Sequence, residues 1–268
     1  MKTVKKLIAV TGLFSVLFLS ACVSNNESSG SGEETLTFGT EATFAPFESM
    51  KGDEVVGFDA DLLDAIMKEA GLNYEFDNTG WDPMLVGVKD ESLAGGAAGI
   101  TITDERKETY DFSAPYFEAM QTIATTEGTD IQSAEDIKGM KIGVQNGTTG
   151  DIAAQQIVGD NSTDISKYES SAATMMALQN GDVEVVITDN GVAQHYVKNN
   201  PDANITLIDD KDSFEQEYYG ILLPKGSEHK EAIDEAIQTI MENGTYEEIY
   251  QEWFEGTPDI EALESAQP

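Results

Sequence analysis

From Leu36 to Phe254 the chain keeps returning to one order, a short apolar or alternating run followed by a segment with apolar residues three and four positions apart. Leu36-Thr37-Phe38-Gly39 and Glu54–Phe58 read as strands. The second leads into a helix over Asp59–Ala70, with Leu62, Leu63, Ile66 and Met67 on one face and Gly71 ending it. Tyr74–Phe76 alternates as a strand, Pro83–Val88 reads as a helix, and Ala97–Ile102, Ile123–Thr125 and Lys141–Val144 read as further strands. Helices over Asp151–Val158, Ser171–Asn180 and Gly191–Lys198 flank an apolar strand at Val183–Ile187. The last third predicts a strand over Tyr218–Leu223 closed by Pro224, then helices over Glu231–Glu242 and Tyr246–Phe254. Alternation of this kind predicts parallel sheets covered on both faces. At 268 residues the chain is near the length where one apolar core stops growing, which favours two lobes. Segments near Tyr116–Met120 and Glu215–Tyr219 are the expected crossings. The fold class expected is α/β, two-lobed, with two sheets flanked by helices and ligands at the carboxyl ends of strands.

Ahead of this body Met1–Lys6 is basic, and Leu7–Leu19 is an apolar run of 13 residues, short of the roughly 20 needed to cross a bilayer. Residues 1–21 read as a signal peptide. Leu19-Ser20-Ala21-Cys22 follows, and Cys22 is the single cysteine of the chain. The sequence is similar to a bacterial lipobox, in which the cysteine sulfur is lipidated; an ordinary signal peptide with a chance cysteine is the alternative. No internal disulfide can form, so the fold must rest on its core. Residues 22–34 are rich in Ser, Gly, Asn and Glu, the composition of a flexible tether.

Charge narrows the partners. Fifteen Lys and Arg against 50 Asp and Glu leave a net charge of −35, which argues against nucleic acid, since phosphate binding needs basic patches. The two histidines, His195 and His229, have no metal-ligand spacing, and no nucleophile with an adjacent base stands out. No cofactor and no metal are expected.

Several strand exits carry chemistry. Glu41 and Phe44 follow the first strand, with Phe47 assigned to the core. Trp81 occupies a similar exit after Tyr74–Phe76, as core or as pocket wall. In Gly99-Ile100-Thr101-Ile102-Thr103-Asp104-Glu105-Arg106, Gly99 permits close approach to the main chain and Thr101 offers a hydroxyl and an amide. Arg106, the only arginine, offers a planar fork for a carboxylate or else a surface ion pair with Asp104 or Glu108. Gln145–Gly150 lies between a strand and a helix, where free amides suit an anion, but the Gly-Lys-Ser/Thr ending of a nucleotide loop is missing. Asp189 ends an apolar strand, either to accept from an ammonium or to cap the next helix.

Taken together, the lipobox, Gly39–Ala42 with Phe44 and Pro46-Phe47, Gly57–Leu62, Gly99–Arg106, Asp111–Ser113 with Pro115-Tyr116, Thr188-Asp189, and Glu242–Tyr246 with Trp253-Phe254 resemble the polar amino-acid-binding proteins of ABC importers. The resemblance runs from about Leu36 to Pro258. Within that family Gly80–Pro83, Ile142–Gly150 and Ile187–Asn190 look most like the arginine/lysine/histidine-binding lipoproteins.

The resemblance implies a binding protein of the periplasmic-binding-protein type, with lobe 1 over residues 35–117 and 217–259, lobe 2 over 118–216, and a tail over 260–268. Arg106 would clamp a ligand α-carboxylate with Thr101 and the Thr149 amide, while Asp189 and the Gly99 carbonyl would take the α-ammonium. Phe44 and Trp81 would sandwich the side chain, and Glu41 with Gln145 would face its cationic end. The implied ligand is a free basic amino acid, with glutamine as the alternative. A dehydratase of the same fold, or a signalling or adhesion role for the same pocket, is the competing function. The implied partners are an ABC permease and the membrane, through lipid on Cys22 at the extracytoplasmic face of the cell membrane, with the protein itself a monomer. Relatives often carry Asp where this chain has Glu41, and Ala114 stands where an acidic residue is usual.

Overall fold

In the computed structural model, which describes residues 35–266, the alternation becomes two large sheets with helices on their faces. The signal peptide, Cys22 and the tether lie outside the described residues. The chain runs through β1 (Thr35–Thr40), a small antiparallel sheet of β2 (Thr43–Phe44), β3 (Glu48–Lys51) and β4 (Glu54–Val56), then α1 (Phe58–Ala70), β5 (Asn73–Asn78) and α2 (Trp81–Lys89). Next come β6 (Gly95–Gly96), α3 (Asp104–Thr109), β7 (Tyr110–Phe112), β8 (Phe117–Thr126), β9 (Ile142–Gln145), α4 (Thr149–Val158), β10 (Ile165–Tyr168), α5 (Ser171–Asn180), β11 (Val185–Asp189), α6 (Asn190–Asn199) and β12 (Ile205–Ile208). The chain returns through β13 (Gln216–Tyr219) and β14 (Leu222–Pro224) to α7 (Lys230–Glu242), α8 (Thr245–Trp253) and α9 (Ile260–Ser265). No helix among the described residues is long and apolar enough to cross a membrane.

The first sheet has the order β5-β1-β6-β14-β7 and the second β10-β9-β11-β8-β12. Both are mixed rather than wholly parallel: β5, β1 and β6 run parallel, as do β10, β9 and β11, while β14, β7, β8 and β12 pair antiparallel. The two-residue side-chain period divides each strand between two helix layers. Val185 and Ile187 join Ile123 and Ala154 in one cluster, whereas Val186 joins Ala124, Met175 and Leu178 on the other face. Around the first sheet, α1, α7 and α8 bring Phe58, Leu62, Ile66, Ile237 and Tyr246 onto Phe38, and α2 brings Met84 and Val88 onto Ile100 and Leu222. Phe47 is fully buried and its ring meets Phe44, Phe58, Phe117, Tyr219 and Phe254.

Three expectations are corrected. The strand is Gly95–Gly96 rather than Ala97–Ile102, because a Cβ on Gly95 would come within 2.3 Å of the Phe38 ring and one on Gly96 within 2.8 Å of Met84, so only glycine pairs closely with β1 there. The left-handed φ of Gly99 (54°) then bends the segment out of the sheet. The run Tyr218–Leu223 is two strands in two sheets, β13 and β14, separated at Gly220. The segment after residue 259 contains α9, whose Leu263 is buried in the first core.

The two crossing segments lie side by side. Phe117–Met120 of β8 pairs with β13, and the remainder of β8 pairs with β11 and β12, so both crossing segments are held in the second sheet.

Two carboxyls, Glu48 on β3 and Asp59 in the first turn of α1, are cut off from water. Asp59 Oδ2 accepts from the Gly99 N–H and from the Tyr116 hydroxyl, both at 2.8 Å. Burial pushes Asp59 up to about 7, and burial together with the neighbouring Asp59 charge pushes Glu48 well above the carboxylate range. Neither Glu48 oxygen has another partner, so a proton on Glu48, donated to Asp59, satisfies the pair.

In the unfolded chain both groups ionise near pH 4. The native state therefore holds a proton that the unfolded state has released, and stability contributed by the pair is lost as pH rises from about 4 through about 7. Thermal melts from pH 5 to 8 should show a fall in Tm that is smaller in Glu48→Gln than in wild type, since the amide supplies the donor permanently. Equal slopes would mean that the pair shares no proton.

Candidate functional site

The sharpest convergence of side chains lies where strand ends of the two sheets face each other. The Thr40 carbonyl at the end of β1 accepts from the Thr79 and Gly80 N–H groups, both at 3.0 Å, which starts α2 beside the β1 exit. Glu41 and Phe44 come from that exit and Trp81 from the first turn of α2. Gly99 and Thr101 follow β6, and Arg106 sits on α3, whose cap is the Thr103 hydroxyl accepting from the Arg106 N–H at 3.1 Å. From the second sheet, Gln145 ends β9, Thr149 opens α4 and Asp189 ends β11. All nine residues singled out in the sequence line one cleft. The space left between them is about 20 Å³, roughly that of one water. A groove of about 940 Å³ beside α7 and α9 is larger, but its polar walls are mostly carboxylates and its Lys230 already pairs with Asp234 at 2.5 Å.

The alternatives open in the sequence are decided by hydrogen bonds. Arg106 makes no ion pair with Asp104, which pairs instead with Lys107 at 2.8 Å. Its guanidinium donates to the Thr101 carbonyl at 2.8 Å and, across the cleft, to the Gly147 carbonyl at 3.3 Å, with its central carbon 5.3 Å from the centre of the Trp81 ring. Burial pulls the Arg106 pKa down, while Glu217 and then Asp189 draw it back up. Asp189 occupies the cap position of α6 without capping it, and its Oδ1 accepts from Gln121 Nε2 at 2.9 Å. Burial, followed by repulsion from Glu217, raises Asp189 to about 7. Trp81 is buried and stands in the cleft wall, so it is both core and lining.

Glu41 is also buried, and desolvation raises its pKa against hydrogen bonds from the Thr43 hydroxyl and from Gln145 Nε2, the latter 2.9 Å away on the opposite wall. Gly99 is fixed by Asp59 from behind, and a Cβ there would come within 2.6 Å of Phe44 and 3.2 Å of Tyr219. The cleft thus offers one guanidinium and two carboxylates at separate points, with two aromatic rings. Among the described residues no group of His, Cys, Asp and Glu is placed to hold a metal ion.

Sequence reasoning missed Asp59, Gln121 and Glu217. Glu217 lies in an acidic stretch where nothing marks it, and Gln121 sits in a strand of otherwise ordinary pattern. Glu217 is placed by the pairing of β8 with β13, and Gln121 by the pairing of β8 with β11, which sets it opposite Asp189.

Residues 36–256 match the bacterial extracellular solute-binding proteins, family 3. A protein of Neisseria gonorrhoeae named for histidine binding is 34% identical over 258 residues, covering 93% of this chain and 96% of that one. The solved arginine-, lysine-, histidine-binding protein ArtJ of Geobacillus stearothermophilus is 48% identical, with a TM-score of 0.85 over 86% of this chain and all of that one. An ancestral arginine-binding protein solved with arginine is 41% identical, with a TM-score of 0.78 over 82% of this chain and 98% of its own, and an ancestral arginine-binding protein solved with glutamine is 40% identical, with a TM-score of 0.77 over 83% of this chain and 98% of its own.

Gly99→Ala should lower stability by more than Gly52→Ala. Both positions have left-handed φ, costing about 1–3 kcal/mol for a side chain, but a Cβ on Gly52 meets nothing within 4 Å. Urea denaturation of the two variants measures the difference, and equal losses would mean that the Phe44 and Tyr219 rings yield freely.

Proposed function

Because the chain belongs to the bacterial extracellular solute-binding proteins, family 3, we propose that it captures a free basic amino acid, arginine, lysine or histidine, outside the cytoplasm and hands it unchanged to the membrane subunits of an ABC importer. One observation carries this reading: the cleft holds one guanidinium, Arg106, and two buried carboxylates, Asp189 and Glu41, in walls shared with Phe44 and Trp81. An α-amino acid with a cationic side chain presents the complementary set, one carboxylate and two cations.

Arg106, with Thr101 and the Thr149 amide, takes the α-carboxylate. Asp189 and the Gly99 carbonyl take the α-ammonium. Phe44 and Trp81 enclose the side chain, and Glu41 with Gln145 receives its far end. A cation over aromatic faces gains about 0.5–2 kcal/mol. The cleft walls must part to admit such a ligand, because a space of about 20 Å³ is far smaller than an amino acid. Ligand then shifts the protein toward closure through contacts that need both walls. Sheet membership supports lobes over residues 35–117 with 217–259 and over 118–216. Removal of residues 1–21, lipid on Cys22 and the tether over 22–34 would hold a monomer at the outer face of the membrane.

Glutamine is the second reading, supported by an ancestral arginine-binding protein solved with it. Affinities for arginine, lysine, histidine and glutamine, measured calorimetrically on ligand-stripped protein at low and high salt, separate the two. Arginine or lysine should bind far better than glutamine at both salt concentrations, because a buried contact escapes the screening that acts beyond about 8 Å at physiological salt. Glu41→Gln should narrow that gap. Glutamine binding the wild type as tightly as arginine would replace the basic-ligand reading.

Arg106→Ala should abolish binding in a folded protein. Removing one partner of a buried ion pair costs about 3–5 kcal/mol, more than a hundredfold in affinity. Unchanged affinity would remove Arg106 from the site.

A further inference from the structure

Glu217 is not among the residues lining the cleft, yet the hydroxyls of two that are, Thr101 and Thr149, hydrogen-bond to it. The segment around Thr101 runs along β13, with the Ile102 N–H donating to the Tyr218 carbonyl at 2.8 Å and the Gly220 N–H to the Ile100 carbonyl at 3.1 Å. This places Thr101 Oγ1 2.7 Å from Glu217 Oε2. Thr149 Oγ1, from the opposite sheet, is 2.9 Å from the same oxygen and accepts from Gln121 Nε2 at 3.2 Å. Gln121 Nε2 also lies 3.3 and 3.4 Å from the two Glu217 oxygens while donating to Asp189.

A hydroxyl has one proton. With the Thr101 proton committed to Glu217, its oxygen has only lone pairs left to offer the cleft that it lines. Such an oxygen accepts from an ammonium and cannot donate to a carboxylate. The threonine then joins Asp189 as a second acceptor, and Gln121 links the two carboxylates, fixing Asp189 in place.

We infer that Glu217 is a positioning residue that turns Thr101 into an obligate acceptor for the ligand's α-ammonium, and so makes the cleft select for ligands bearing a free α-amine. This rests on the amino-acid-binding reading above. Thr101 then acts on the ammonium through its hydroxyl, beside any help it gives the carboxylate through its amide. Without Glu217 the hydroxyl is free to rotate and donate into the cleft, and the discrimination between amine-bearing and amine-free ligands falls.

The test compares L-arginine with 5-guanidinopentanoate, which is arginine without its α-amine, by calorimetry on wild type, Glu217→Ala and Glu217→Gln, with thermal melts to check folding. Glu217→Ala should lower the affinity ratio of arginine to 5-guanidinopentanoate at least tenfold. Glu217→Gln, which keeps one acceptor oxygen, should lower it less, and it decides the matter if the alanine variant does not fold. A residue that only fastened the two walls together would weaken both ligands equally, so an unchanged or increased ratio overturns the role of Glu217. Arginine binding with an unchanged ratio overturns that role alone. Wild-type protein that binds neither compound overturns the functional reading and the role of Glu217 together.

Discussion

The site hangs on the carboxylate of Asp59. From the first turn of α1 it holds the Gly99 N–H on one side and the Tyr116 hydroxyl on the other, and the Tyr116 carbonyl accepts in turn from the Tyr246 hydroxyl at 2.6 Å. One buried acceptor therefore joins the loop that lines the cleft, the residue that leads into β8 of the second sheet, and α8 of the first core. An unpaired ionised carboxylate in this position would cost several kcal/mol. Two donors from the protein and a proton from Glu48 compensate that cost, which explains why a second carboxyl is buried beside the first.

The legibility of the sequence follows the same division between local and distant causes. Helices such as α1 and α7 are plain because an apolar face of period 3.6 is written in consecutive residues. β6 was invisible because Gly95 and Gly96 carry no hydropathy; what demands them is the bulk of Phe38 and Met84, far away in sequence. β13 and β14 read as one strand because Tyr218–Leu223 is a continuous apolar run, and only the sheets reveal that it is shared out between two partners. In the site, residues at strand exits could be named from motif and position. Gln121 and Glu217 could not, since each matters only through neighbours about 30 to 120 positions away.

Electrostatics give the cleft its direction. In a chain with 50 acidic residues the lone arginine would find an anionic neighbour almost anywhere on the surface. It is instead held by carbonyls and stacked near Trp81, while Lys107 occupies the nearest aspartate. Its charge is thus kept for the cleft, where burial disfavours it and the charges of Glu217 and Asp189 retain it.

The pairing of β8 with β13 has a mechanical meaning. A two-stranded antiparallel ribbon twists more readily than a wide sheet, and here the ribbon is four register pairs long, from Phe117–Tyr219 to Met120–Gln216. Rotation of one sheet against the other about this axis can be stored as coiling of the ribbon, with its ladder intact. In the closure proposed above the ribbon would act as a torsion bar, taking up the swing of the walls by coiling and without breaking a bond within it.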